Sequence, residues 1–314
     1  MAAGQRDSSF SSAQVLGYAS LCLIWGSTWL AIRVVVHDVP PLEAAALRFV
    51  FGGVLLLAMA LVQRRRWPHG GEQWNALLVL SVTMMALPYG MLFWAEQHVA
   101  SSLSAILYSA MPLAVSLFTP MMMHRKVPRQ AVYAMVVAFG ALLSLFYGSD
   151  LSVSSRSILG GVAVLASMTL SAWSAVYAKR RLREVDSVIA TGLQLLFGSI
   201  VLFWGTWALE AHRPAVWTRS AVVAMAFLTL FGSAAAFVVY YWLLKKLQPY
   251  QLSTISLIVP VIAMIEGFLW GEEIHLMTVI AICIVLGSVH FVLRAEAEQQ
   301  PEGSDILMLR DRAQ

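Results

Sequence analysis

Ten stretches of roughly twenty residues, apolar and almost free of charge, follow one another from residue 15 to residue 294. No other feature limits the fold so sharply. A helix needs about 20 apolar residues to cross a hydrocarbon core about 30 Å thick. There it must satisfy its backbone hydrogen bonds internally. The stretches are 15–36, 41–62, 74–95, 101–122, 130–147, 158–179, 187–208, 220–244, 250–270 and 274–294. They are too long and continuous for the short alternating strands of a membrane barrel. Charged residues make up 12% of the chain and hydrophobic ones 59%, against about 25% and 45–50% in soluble domains. A soluble domain of 314 residues would lack the charge to cover its surface, which disfavours soluble enzymes and nucleic-acid binders. The reading is an all-α integral membrane protein with ten transmembrane helices. A polar segment, residues 1–14, precedes the spans, and a polar tail, 295–314, follows them.

The net charge of +4 is informative through its distribution. With the N-terminus on the cytoplasmic side, the inner segments carry Arg6, Arg64–Arg66, Arg125, Lys126, Arg129, Lys179–Arg181, Arg183, Lys245, Lys246, Arg294, Arg310 and Arg312. That is 16 of the 21 basic residues; the outer loops carry Arg156, Arg213 and Arg219, and Arg33 and Arg48 lie within spans. Positive charge concentrates on the cytoplasmic side of membrane proteins, so both termini are expected there, in a bacterial-type plasma (inner) membrane. Residues 1–14 lack the basic-then-apolar pattern of a cleavable leader, and the first run reads as a retained span. Cys22 and Cys283 both sit in apolar runs, with no metal-type spacing of Cys and His.

The chain also repeats. An offset of 148 residues pairs Trp25 with Trp173, Arg33 with Arg181, Asp38 with Asp186, Phe49 with Phe197, Trp94 with Trp242 and Pro112 with Pro260. Each half, 15–147 and 158–294, holds five spans. Five is odd, so the second half enters the membrane from the opposite side, giving two inverted repeats. That architecture underlies alternating access in many carriers and places a site near the membrane midplane at the repeat interface.

Certain residues carry a family resemblance. Trp25-Gly26-Ser27-Thr28-Trp29 followed by Ala31-Ile32-Arg33, then Pro41-Leu42-Glu43 with Arg48-Phe49, resembles the opening of EamA-type carriers of the drug/metabolite transporter superfamily. Pro260-Val261 followed by Gly271-Glu272 is similar to the end of the family's second repeat, whereas His124-Arg125 stands where Gly-Glu is often found in the first. The resemblance spans residues 15–294. It implies ten helices as two inverted five-helix repeats around a central cavity, bordered by spans 1, 3, 4, 6, 8 and 9, and secondary transport with export of amino acids or other small metabolites.

Charges inside the membrane are costly and are functional candidates by default. Arg33, Glu43, Arg48 and Glu266 are the candidates for gating or coupling. Arg33 can reach the outer interface along its own stem. Arg48 lies about 10 Å deep at 1.5 Å per residue and is expected to pair with another helix. Glu43 and Glu266 are candidates for an ion lock or for carrying a proton. Glu272 and Glu273, at the span end, read as solvated. Substrate-cavity candidates are Trp25, Trp29, Tyr89, Trp94, Tyr108, Trp173, Tyr177, Tyr241 and Ser256. Such a lining offers apolar contact, cation–π attraction and a few hydroxyls. Pro88, Pro112, Pro120 and Pro260 fall inside spans, where each removes a backbone hydrogen bond and can kink a helix.

The leading expectation is a carrier for a small metabolite, with no cofactor, no metal and no nucleic-acid partner. It would sit in the bilayer as a monomer or homodimer, with proton coupling open. A proton-coupled exporter of aromatic cations is the alternative within transport. An intramembrane enzyme is disfavoured: the seven histidines are scattered, and the sequence contains no paired catalytic motif and no phosphate-binding loop.

Overall fold

The computed structural model describes residues 11–145, 154–269 and 276–295, excepting the side chains of 266–269. Ten apolar helical units run through the described residues, which contain no strand. They are α1 (Ser12–Asp38), α2 (Pro41–Val62), α3 (Gly71–Ala95), α4 (Ser101–Met123), α5 (Arg129–Ser144), α6 (Ser155–Arg181), α7 (Ser187–Leu209), α8 (Arg219–Lys246), α9 (Pro249–Ser253 and Ile255–Leu269) and α10 (Leu276–Arg294). Eight are long and apolar enough to cross a bilayer unaided; α5 and α9 are shorter. The sequence expected 18 residues for the fifth span, 130–147, but α5 has 16, about 24 Å at 1.5 Å per residue.

The starts of the helices follow from capping chemistry. Ser11 Oγ accepts from Gln14 N, and Gln14 Oε1 accepts from Ser11 N, closing a capping box on α1. Asp186 Oδ1 accepts from Val188 N and Ile189 N at the head of α7, and Thr218 Oγ1 accepts from Ala221 N at the head of α8. The α2 helix starts at Pro41, whose missing N–H costs nothing there.

Four spans are not continuous α-helices. In α3, Ser81–Ala86 is π-helical, and Leu87 N bonds Val82 O, five residues back. Pro88 follows, and its ring can neither donate to nor sit close to the carbonyl four positions earlier. In α8, Leu228–Ala235 is π-helical. The 148-residue offset carries 81–86 onto 229–234, inside that segment. The α4 helix breaks at Ser109 and Ala110, just before Pro112, and α9 breaks at Thr254.

Packing is two-fold as well. The α2–α7 and α5–α10 pairs each join equivalent helices of the two halves. Other contacts come in related sets: α4–α6 with α9–α1, α3–α6 with α8–α1, and α3–α7 with α8–α2. Close approach at the α2–α7 crossing depends on glycine. A Cβ on Gly53 would lie 2.7 Å from the Leu196 side chain and 3.0 Å from the Gly192 carbonyl oxygen. One apolar core threads most of the helices. Large apolar side chains such as Leu61, Val62, Trp204, Trp207 and Met277 project outward, as a bilayer-facing surface requires. The chain is an all-α, multi-pass membrane protein.

Candidate functional site

A cavity of about 90 Å³ lies between the two halves. From the first half, α1 contributes Trp25, Thr28, Trp29 and Ile32, which recur at i, i+3, i+4 and i+7 and so form one stripe. The α2 helix contributes Arg48, α3 contributes Met84, Pro88, Tyr89 and Leu92, and α4 contributes Ala105, Tyr108 and Met111. From the second half come Ser167 and Ser171 on α6, Phe237 and Tyr240 on α8, and Leu252, Ser253, Ile255, Ser256 and Val259 on α9. None of these described lining residues is acidic.

The breaks in α3, α4 and α9 lie at this cavity. Tyr108 ends the first piece of α4, and Met111 begins the second. Ser167 Oγ donates to the Pro88 carbonyl at 2.9 Å, tying α6 to α3. Aromatic rings interlock along the wall. Trp25 packs against Phe237 and Tyr240 with centroids 5.7 and 5.6 Å apart, and Trp29 meets Tyr108 edge-on at 5.9 Å.

Arg48 is the one charge among the described lining residues. It is 1% exposed. It reaches another helix: Nε donates to Ser233 Oγ at 2.5 Å, and one terminal nitrogen donates to the Gly232 carbonyl at 2.8 Å. Both acceptors belong to the π-helical stretch of α8. The guanidinium carbon lies 5.2 Å from the Tyr89 ring centroid and 5.8 Å from those of Phe49 and Phe93. Each such contact is worth about 0.5–2 kcal/mol. The other terminal nitrogen is buried with no hydrogen-bond partner, as is Trp25 Nε1.

The structure thus brings together Trp25, Trp29, Tyr89, Tyr108, Ser256 and Arg48 from the sequence candidates. It places four others elsewhere. Trp173 and Tyr177 stack on each other, with centroids 5.0 Å apart, and Trp173 lines an open surface groove of α3, α4 and α6. Ser171 is the cavity residue of that turn, and two positions further on a helix is about 200° away. Trp94 faces a separate hollow bounded by Leu42, Leu202, Gly205 and Glu210, with its ring against His98 at 4.5 Å. Tyr241, adjacent to the cavity residue Tyr240, is buried against α7, where its hydroxyl donates to Gln194 Oε1 at 2.6 Å.

Of the remaining charge candidates, Arg33 is exposed. Glu43 is half-buried, and its backbone N–H, with that of Leu42, donates to the Glu210 carboxylate. The side chain of Glu266, together with Glu272 and Glu273, lies outside the described residues. Thr28, Ser167, Ser171, Phe237 and Tyr240 line the cavity without having been chosen as site residues; the stripe of α1 is the periodic signal that points to Thr28.

A model of the EamA-like transporter family matches residues 13–147 and 158–294. The chain is 29% identical over 276 residues to the "Uncharacterized transporter YoaV" of Bacillus subtilis, covering 88% of this chain and 92% of that one. It is 26% identical to "Protein PagO" of Salmonella typhimurium over 84% of this chain and 88% of that one. The "Uncharacterized inner membrane transporter YedA" of Escherichia coli is 27% identical over 87% and 88% of the two chains. A solved crystal structure shares the fold at a TM-score of 0.75 and 20% identity, covering 92% of this chain and 98% of the other.

Proposed function

The chain belongs to the EamA-like transporter family, and on that premise we propose that it is a secondary carrier exporting a small metabolite, an amino acid or a relative of one, by alternating access. The observation that carries this reading is the cavity itself. It lies between two inverted halves and takes its lining from seven helices, four of one half and three of the other. Halves of like topology and opposite orientation can exchange conformations, which gives states of similar energy open to opposite sides. The names of the relatives support transport, and one of them is named as an inner-membrane protein. The clustering of 16 of 21 basic residues supports a cytoplasmic position for both termini. The small-molecule partner would enter from the cytoplasmic side, and a gradient, rather than nucleotide hydrolysis, would drive its exit.

Purified protein in liposomes tests this reading. Saturable counterflow of a labelled amino acid, faster from the terminus-bearing face, is expected. Conversion of the compound without flux would replace the carrier by an intramembrane enzyme, and absence of both across an amino-acid panel would reject the substrate class.

A further inference from the structure

We propose that Arg48 is the receptor for the carboxylate head group of a small organic acid in the central cavity. This rests on the carrier reading and adds the chemistry that the cavity selects.

A guanidinium has five N–H donors in a planar fork. Two of its nitrogens are anchored, one on Ser233 Oγ and one on the Gly232 carbonyl. These bonds hold two of the three nitrogens against α8. The third nitrogen is buried and has no partner. A structural arginine at this depth ordinarily meets a carboxylate, because an uncompensated buried charge is strongly destabilising. No described lining residue can supply one.

Two further observations point the same way. The cavity's unpartnered buried polar atoms, this nitrogen and Trp25 Nε1, are both donors. The described hydroxyls of Thr28, Ser167, Ser253 and Ser256 already donate to backbone carbonyls. The two nitrogen donors lack an acceptor, and a carboxylate is acceptor-only. Moreover, Arg48 breaks the repeat. Its counterpart across the 148-residue offset is Leu196, and the counterparts of Gly232 and Ser233 are Met84 and Met85. The cationic anchor therefore stands in one half only.

The cavity measures about 90 Å³, so the ligand is small. The rings of Trp25, Tyr89, Tyr108 and Tyr240 form walls for its apolar part. A cationic amine would meet Arg48 with like charge, which argues against the aromatic-cation exporter.

Four compounds of matched size separate the cases: butyrate, butyramide, butylamine and 2-aminobutyrate, titrated against the full-length protein in lipid nanodiscs by saturation-transfer NMR. The dissociation constant for butyrate should lie at least tenfold below that for butyramide, with 2-aminobutyrate also bound and butylamine unsaturable. Arg48→Gln should bring butyrate to the butyramide level, and Arg48→Lys should recover part of the difference. Equal affinity of the wild-type protein for acid and amide would overturn the proposal. So would saturable butylamine binding, or no saturable binding of any of the four. The wild-type comparison needs no variant to fold. Flux in liposomes is read separately. Acid-selective binding without flux would reject the carrier and keep Arg48 as receptor, whereas flux with no acid preference would do the reverse.

Discussion

Glu96 stands just past the end of α3, 3% exposed, with one carboxylate oxygen accepting from Ser101 Oγ at 2.5 Å and the other buried without a partner. Burial pushes its pKa up from 4.5 to about 7, against the opposing pull of the Ser101 and Ser104 hydroxyls and the Arg33 charge. A raised carboxyl pKa means that the folded protein holds the proton more tightly than the unfolded chain does. The folded state is therefore unpenalised below pH 4.5, loses stability as pH climbs toward 7, and carries the full penalty above. At 1.36 kcal/mol per unit, the penalty is on the order of 3 kcal/mol. Glu96→Gln should accordingly raise the melting temperature by several degrees at pH 8 and leave it unchanged at pH 4, read by thermal unfolding in detergent; a constant shift at both pH values would contradict the assignment. Tyr241 makes a second residue-scale case. Its hydroxyl donates to Gln194 Oε1 while Gln194 Nε2 donates to the Ala190 carbonyl. Tyr241→Phe would strand a buried acceptor, at a cost of about 1–3 kcal/mol, and lower the melting temperature by a few degrees. Because Tyr241 does not line the cavity, substrate affinity should stay as it was, and a large loss of affinity with stability intact would return Tyr241 to the site.

At the scale of the helix, the spans that border the cavity were legible and the faces that do so were only half legible. Spans 1, 3, 4, 6, 8 and 9 all reach it, and α2 joins them through Arg48. Trp173 and Tyr177 lie on the right helix and the wrong side of it. The cause is physical. Lipid tails are as apolar as a protein core, so hydrophobic periodicity does not mark the inward face of a membrane helix as it does in water. On α6 the inward face is marked by small residues, Ser167 and Ser171, and the bulky aromatics turn away from them. Prolines carried partial information: the break in α4 lies before Pro112 and the π-helical stretch of α3 before Pro88, but the stretch in α8 contains no proline. Glycine gives a prediction with two signs. Gly53 sits where a Cβ would collide with Leu196 and the Gly192 backbone, whereas a Cβ on Gly140 in α5 would meet nothing within 4 Å. Overpacking at Gly53→Ala should cost about 1–3 kcal/mol, while Gly140→Ala, by reducing backbone entropy in the unfolded chain, should gain about 0.5–1 kcal/mol. Melting temperatures moving in opposite directions would establish the α2–α7 crossing as a tight interface, and a neutral Gly53→Ala would show that Leu196 yields.

For the whole molecule, the repeat offset read from a few Trp, Asp and Pro pairs anticipates the two-fold packing, because equivalent sequence units meet equivalent neighbours. Asp38 and Asp186 illustrate what an offset omits. Both tie a second-helix entry to the distant half, but Asp186 takes the Arg65 guanidinium at 2.8 Å and Asp38 takes the Thr218 hydroxyl at 2.6 Å. The partners differ because contacts between halves need only suitable chemistry in reach, not identical residues. The same partial symmetry governs movement between states. Toward the face that carries the described chain ends, α1 is joined to α9 below the cavity by Tyr18, whose hydroxyl lies 2.7 Å from Thr254 Oγ1. Thr254 is also the break in α9, so this contact sits where that helix can bend. If the halves exchange conformations around the cavity, α1 and α9 must part here for it to open to that face. The hydroxyls meet across the full length of the Tyr18 ring, which leaves the two Cβ atoms too far apart for a disulfide. A short bis-maleimide across Tyr18→Cys and Thr254→Cys is therefore the suitable lock, in a background where Cys22 and Cys283 are alanine. Cross-linking should abolish counterflow in liposomes while leaving ligand binding from the opposite face, and either single cysteine treated alike should keep its flux. Undiminished flux through a fully cross-linked protein would mean that α1 and α9 stay together throughout the cycle, and that the opening lies between another pair of helices.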